Sequence, residues 1–194
     1  LEDESLKARV NALMQRCGFA AKGLFVMDGS KRSAHANAYF TGFGAAKRVV
    51  FFDTLLKQLS PQEIDAVLAH ELGHYKRRHI LKRIVMMFAL SLAGFALLGW
   101  VSSQAWFFSG LGVSPAMDAP NNALALLLFM MVVPLFTFFL SPLMAQLSRQ
   151  HEFEADAYAV EHTSGRDLAS ALLKLYKDNA STLTPDPLYA RFYY

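Results

Sequence analysis

Residues 70–74 read His-Glu-Leu-Gly-His. Two histidines four positions apart put both rings on one face of a helix, about one turn from each other. That geometry suits two nitrogen ligands of a single zinc ion. Glu71, beside His70 at the edge of the same face, is placed to hold a water at the metal rather than the metal itself. Zinc brings the pKa of such a water toward neutrality, and the glutamate takes its proton during attack on a peptide carbonyl. H-E-x-x-H is the sequence signature of a zinc metalloprotease. The bland competitor is a helix that happens to carry surface histidines.

A catalytic zinc takes a third protein ligand and keeps one position open. His79, His151, Glu152, Glu154 and Asp156 are the candidates. On a continuous helix His79, five residues past His74, would turn about 140° away. The stretch Ser148–Ala159, "SRQHEFEADAYA", is the better source. Glu152 and Asp156 share one helix face, while Glu154 points to the other side. Glu152 as ligand, with Asp156 one turn later bonding the far N–H of a ligand imidazole, forms a ligand-and-support pair. An ordinary solvated acidic face is the alternative.

The elements around these residues are legible. "LSPQEIDAVLAHELGH" opens a helix with Ser60 as cap, Pro61 in the first helical position and Glu63 completing a capping box. The spacing predicts a helix from Pro61 to at least Tyr75, with room to run on. Upstream, Leu6, Val10, Leu13 and Met14 recur at helical spacing across residues 4–16, closed by Gly18. Residues 22–28, 36–42 and 47–53 are short, rich in β-branched or aromatic residues and bounded by Gly, Ser or Asp, which predicts a small three-stranded sheet. Residues 149–162 continue as helix, residues 166–178 form an amphipathic helix after Gly165, and "PDPLYARFYY" shows no regular pattern.

Between Arg83 and Arg149 the sole charged residue is Asp118, in a chain that is 54% hydrophobic and 18% charged. The uncharged run 84–108 would reach roughly 37 Å as a helix, enough to cross ~30 Å of hydrocarbon. Residues 123–147 form a second such run, with Pro134 and Pro142 expected to kink it. A buried helical pair in a soluble core is the competing reading. Lys76, Arg77, Arg78, Lys82 and Arg83 precede the first run, Arg149 follows the second, and the loop between them holds no Lys or Arg. The positive-inside rule then places both polar arms in the cytoplasm. A hairpin of two spans returns the chain to the side it left, so Glu152 can meet His70 and His74.

Three segments follow: 1–83, with the first helix, the sheet and the H-E-x-x-H helix; 84–148, the transmembrane hairpin; and 149–194, with the third ligand. The net charge of +3 is too small to argue for nucleic acid, and the single cysteine, Cys17, excludes an internal disulfide. The chain starts at Leu1 with no signal peptide and reads as a piece of a longer protein.

"HELGH", the downstream "SRQHEFEADAYA" and the upstream "SKRSAHANAYFTGFGAAKRVVFFDTLL" together resemble the type I CAAX prenyl proteases and their bacterial relatives, which are integral-membrane zinc endopeptidases. The resemblance runs from about Cys17 to Tyr194. It implies one zinc per chain on His70, His74 and Glu152, with Glu71 as catalytic base and Asp156 as the aspartate closing the second motif. Asn37, Ala38, Tyr39 and Phe40 match the family's "NAYF" segment, which lines the cleft, where an extended substrate would add as a further strand. Arg149, one turn before Glu152, is expected to orient the site or meet a substrate carboxylate. Family members carry more transmembrane helices before this region and a short Ser-x-His-Pro element after it.

The expected protein is mainly α, with a zincin-like H-E-x-x-H helix, a small sheet and a two-span hairpin. It would hydrolyse peptide or protein substrates, lipidated or membrane-bound, as CAAX prenyl proteases do or in membrane-protein quality control, at a cytoplasm-facing site, in the cell inner membrane if bacterial. Two other readings stand beside it. A site-2-type protease would cleave within the bilayer, but that class buries its H-E-x-x-H inside a span, and here the motif precedes one. A non-catalytic zinc-binding membrane scaffold would not need the carboxylate of Glu71.

Overall fold

The H-E-x-x-H motif lies on a helix whose start is fixed by three residues. In the computed structural model, which describes residues 3–19, 23–31, 37–41, 48–116, 120–178 and 186–193, this helix, α3, spans Pro61–Lys76. The Ser60 hydroxyl accepts from the Glu63 backbone N–H at 3.3 Å, and the Glu63 carboxylate accepts from the Ser60 N–H at 2.7 Å. This is the reciprocal capping expected from the sequence. Glu63 is buried and also accepts from Ser170 and from the Lys174 ammonium, both at 2.7 Å. Burial alone would raise its pKa; the lysine and the serines outweigh it and bring the carboxyl down to about 2. One side chain thus closes the start of α3 and ties it to α7 (Gly165–Asp178).

The chain divides into two compact units. The first comprises Leu1–His79 and Ser148–Pro187. Helix α1 (Glu4–Arg16) is capped by Asp3 and buries Leu6, Val10, Leu13 and Met14, the four residues read from the periodicity. Strands β1 (Gly23–Met27), β2 (Ala38–Thr41) and β3 (Arg48–Phe52) follow. Their order is β1-β3-β2, with β1 parallel and β2 antiparallel to the central β3. Val49 and Phe51 of β3 are fully buried, while β2 lies at an edge. A short helix, α2 (Asp53–Gln58), not expected from the sequence, leads into α3. Helix α3 packs against α1, α7 and β2. Its Leu68 and Leu72 join Leu13 and Leu55 in the core, each contributing on the order of 2 kcal/mol by burial.

Helix α3 does not run on. It is capped at Arg77, and Arg78 takes a left-handed φ of 57° before α4 (His79–Val101) begins. The expectation that His79 faces away rests on an unbroken helix; after the break His79 lies against the outer nitrogen of His74, still outside the candidate ligands. Helix α6 spans Asn122–His162. Its C-terminal part lies against α3 at Gly73, where an added Cβ would fall 2.9 Å from the Ala155 Cα.

The second unit comprises Ile80–Leu147 and Leu188–Tyr194. The run 84–108 is not one helix: α4 stops at Val101, Ser102–Gln104 intervene, and α5 covers Ala105–Gly110. Helix α6, by contrast, continues through both Pro134 and Pro142. Val101, Phe107, Phe108, Ala125 and Leu128 form a small apolar cluster. Outside it the long helices expose their apolar side chains, with Phe88 at 74%, Leu92 at 72% and Phe139 at 73% of full exposure. A surface this apolar is far beyond what water-facing proteins carry. Helices α4 and α6 are long and apolar enough to cross a membrane. Asp118, in the loop expected on the non-cytoplasmic side, lies outside the described residues. At the C-terminus, α8 (Pro187–Tyr193) forms where the sequence shows no pattern.

Candidate metal centre

Helix α3 presents His70 and His74 one turn apart, and α6, one helix-contact away at Gly73–Ala155, presents Glu152. The His70 and His74 Nε2 atoms are 3.1 Å apart. Glu152 Oε2 lies 3.4 Å from the first and 3.5 Å from the second. These are the side chains whose donor atoms cluster as metal ligands would, among the described residues. A tetrahedral zinc with bonds of about 2.0–2.1 Å sets its donors about 3.3–3.4 Å apart. The triangle of donors therefore has the edge lengths of one tetrahedral face.

The outer nitrogens fix which ring atoms point inward. His70 Nδ1 lies 2.8 Å from Asp156 Oδ1. An ionised carboxylate only accepts, so the Nδ1–H donates to it and the Nε2 lone pair is free to bind a metal. His74 Nδ1 lies 2.9 Å from His79 Nδ1, and His79 Nε2 lies 3.0 Å from Glu154 Oε2. Two imidazole lone pairs and a carboxylate oxygen converging on one point repel one another unless a cation sits among them. The surroundings favour one. Burial opposes charge on His70, but hydrogen bonding with Glu152 and the Asp156 charge raise its pKa above the ordinary value. Hydrogen bonding with His70, and then with His74, holds the Glu152 carboxyl well below the carboxylate range.

Glu71 takes no part in the triangle. Burial pushes its carboxyl up from the ordinary value, against the pull of His70 and His74. It lines a cavity with His70, Val67 and Leu172, closed on one side by Asn37 and Ala38 at the start of β2. Asn37 is held there by its own turn, its Oδ1 accepting from the Ala38 N–H at 2.8 Å. Tyr39 lies farther along the strand, edge-on to Phe52, with ring centroids 6.2 Å apart. Phe40 pairs with Val49 in the ladder. Arg149 sits half-buried on α6, one turn before Glu152.

Sequence reasoning sets His79 and Glu154 aside as ligands, and neither joins the donor cluster. It does not anticipate that His79, only 5% exposed, is wedged between His74 and Glu154. The redirecting signal is a left-handed arginine, which no glycine or asparagine announces.

Comparison with known proteins gives the family. The model of "Peptidase family M48" matches residues 1–191. The chain is 37% identical to CAAX prenyl protease 1 of Saccharomyces cerevisiae and 31% identical to the CAAX prenyl protease 1 homolog of Homo sapiens, with its whole length aligned in both. It covers 46% of the first and 48% of the second. The crystal structure of S. mikatae Ste24p superposes with a TM-score of 0.85 at 36% identity, covering 100% of this chain and 48% of that one. The chain spans about half the length of the curated relatives it matches.

Proposed function

We propose that this chain, which belongs to peptidase family M48, is the zinc endopeptidase core of a membrane protease with a zincin-like H-E-x-x-H helix. One zinc per chain would be held by His70, His74 and Glu152. The observation that carries this reading is the 3.1–3.5 Å donor triangle with both outer histidine nitrogens engaged. When bound, zinc would polarise the scissile carbonyl and acidify the attacking water. Glu71 accepts the proton from that water and later returns it to the leaving amine. Its burial-raised pKa brings it closer to the working pH of such a base. The outer edge of β2, unpaired among the described residues, would receive an extended substrate beside the cavity at Glu71, with Asn37 to Phe40 as the docking strand. Arg149, one turn before Glu152, would meet a substrate carboxylate.

Helices α4 and α6 would form a two-span hairpin, and the basic residues at their polar ends would hold the site on the cytoplasmic side. Prenylated proteins are the proposed substrate class, by likeness to the CAAX prenyl proteases. Purified chain is expected to bind zinc about one to one and to cleave a prenylated peptide. A chelator should stop the cleavage, and zinc should restore it. In sealed vesicles, peptide added from the cytoplasmic side alone should be cut. Cleavage that survives full metal removal would refute the metal reading, and cleavage from the opposite side would reverse the topology.

Asp156 would support zinc through His70 rather than bind it. Loss of such a partner typically costs about 10–100-fold in metal affinity. Asp156→Asn is therefore expected to weaken zinc retention less than Glu152→Gln. Competition with a graded chelator ranks the two variants, and the reverse order would exchange their roles.

A further inference from the structure

The nitrogen of His74 that faces away from the donor triangle has a partner that the H-E-x-x-H pattern does not contain. His79 Nδ1 stands 2.9 Å from His74 Nδ1, and on its far side His79 Nε2 stands 3.0 Å from Glu154 Oε2. The His79 ring also lies flat on the His151 ring, with centroids 4.1 Å apart and planes 13° apart. His79 is buried, so its orientation is not set by water. Its protonation pattern follows from its two neighbours. Glu154, as a carboxylate, can only accept, so His79 carries its proton on Nε2. The Nδ1 of neutral His79 is then a lone pair, and the short contact with His74 requires the hydrogen to lie on His74 Nδ1. That leaves the His74 Nε2 lone pair directed into the triangle.

We propose that His79, set in one tautomer by Glu154 and held in plane by His151, is a positioning residue that fixes the metal-binding tautomer and orientation of His74. The inference rests on the zinc reading above and adds residues to it. The two ligand histidines are then supported differently. His70 leans directly on a carboxylate, and His74 reaches one through an intervening imidazole. The arrangement depends on the break at Arg78, after which His79 meets His74 of the helix that precedes it.

The test uses the full chain, purified in detergent and loaded with zinc, and reads the rate at which a chelator in excess strips the metal. His79→Phe keeps a ring to stack on His151 but can neither accept from His74 nor donate to Glu154. His79→Asn places a carbonyl oxygen near the position of Nδ1 and restores the acceptor. Zinc release is expected to be about 10–100-fold faster in His79→Phe, with most of the loss recovered in His79→Asn. Glu154→Ala should fall between the unchanged chain and His79→Phe, and carries the test should the phenylalanine variant not fold. An unchanged release rate in His79→Phe or Glu154→Ala overturns the proposal. So does an asparagine variant no better than phenylalanine, which would reduce His79 to packing. Failure of the unchanged chain to bind zinc at all would instead refute the underlying metal reading.

Discussion

Glu71→Gln is expected to leave zinc bound and to abolish measurable cleavage. The substitution preserves shape and changes one property, the ability to take a proton. Glu71 is outside the donor triangle, so its replacement removes no ligand atom. Its carboxyl is buried beside His70, and burial raises its affinity for a proton above that of a solvated glutamate. A glutamine in that position can still accept a hydrogen bond from a water but cannot deprotonate it. General-base catalysis contributes about 10²–10⁴-fold, so at least that much of the rate should vanish. Metal analysis and peptide cleavage measured on the same preparation separate the two effects. Near-normal turnover would remove Glu71 from the role of base, and loss of zinc would make it a ligand.

His74→Ala should lose most of its metal, and this is the second large effect. Two of the three inward donors would remain, His70 Nε2 and Glu152 Oε2, 3.4 Å apart. Two donors leave half of a tetrahedral shell to water. The loss should exceed the ~10–100-fold expected for a supporting residue, because a bond to the metal goes rather than a bond to its ligand. The buried His79 would lose the partner of its Nδ1 at the same time, so some loss of thermal stability should accompany the loss of zinc. Dialysis followed by metal analysis decides the matter, and full occupancy in this variant would disprove the ligand assignment.

Much of the scaffold is legible in the sequence, because its signals are local. The Ser60–Pro61–Glu63 start of α3, the apolar spacing of α1 and the three short strands each depend on neighbours a few residues apart, and all appear where expected. The donor set is legible for a related reason: i, i+4 spacing on a helix is a geometric statement, for His70 and His74 as for Glu152 and Asp156. The strand order β1-β3-β2 is different in kind, since parallel pairing of β1 with β3 is decided by packing across the fold. Helix α2 and the stop at Val101 also escape a periodicity reading, because no Gly or Pro stands at the boundary of either. His79 shows the limit most clearly. An ideal helix sets its angular position only while the helix is unbroken, and a single residue with positive φ ends that.

The contact at Gly73 bears on how the motif itself should be written. H-E-x-x-H treats its third and fourth letters as free, but here they carry unequal information. Leu72 is buried in the core, so its position asks for an apolar residue. Position 73 asks for more. Even one methyl group would meet Ala155 Cα at 2.9 Å, its carbonyl oxygen at 3.1 Å and Tyr158 Cβ at 3.1 Å, two of them backbone atoms with little room to give. The helix separation that lets Glu152 reach the histidines is thus encoded jointly by two small residues 82 positions apart, Gly73 and Ala155. A search pattern that requires both to be small, together with the five letters, would reject most chance matches, because chance supplies two histidines and a glutamate far more readily than a compensating gap on a distant helix.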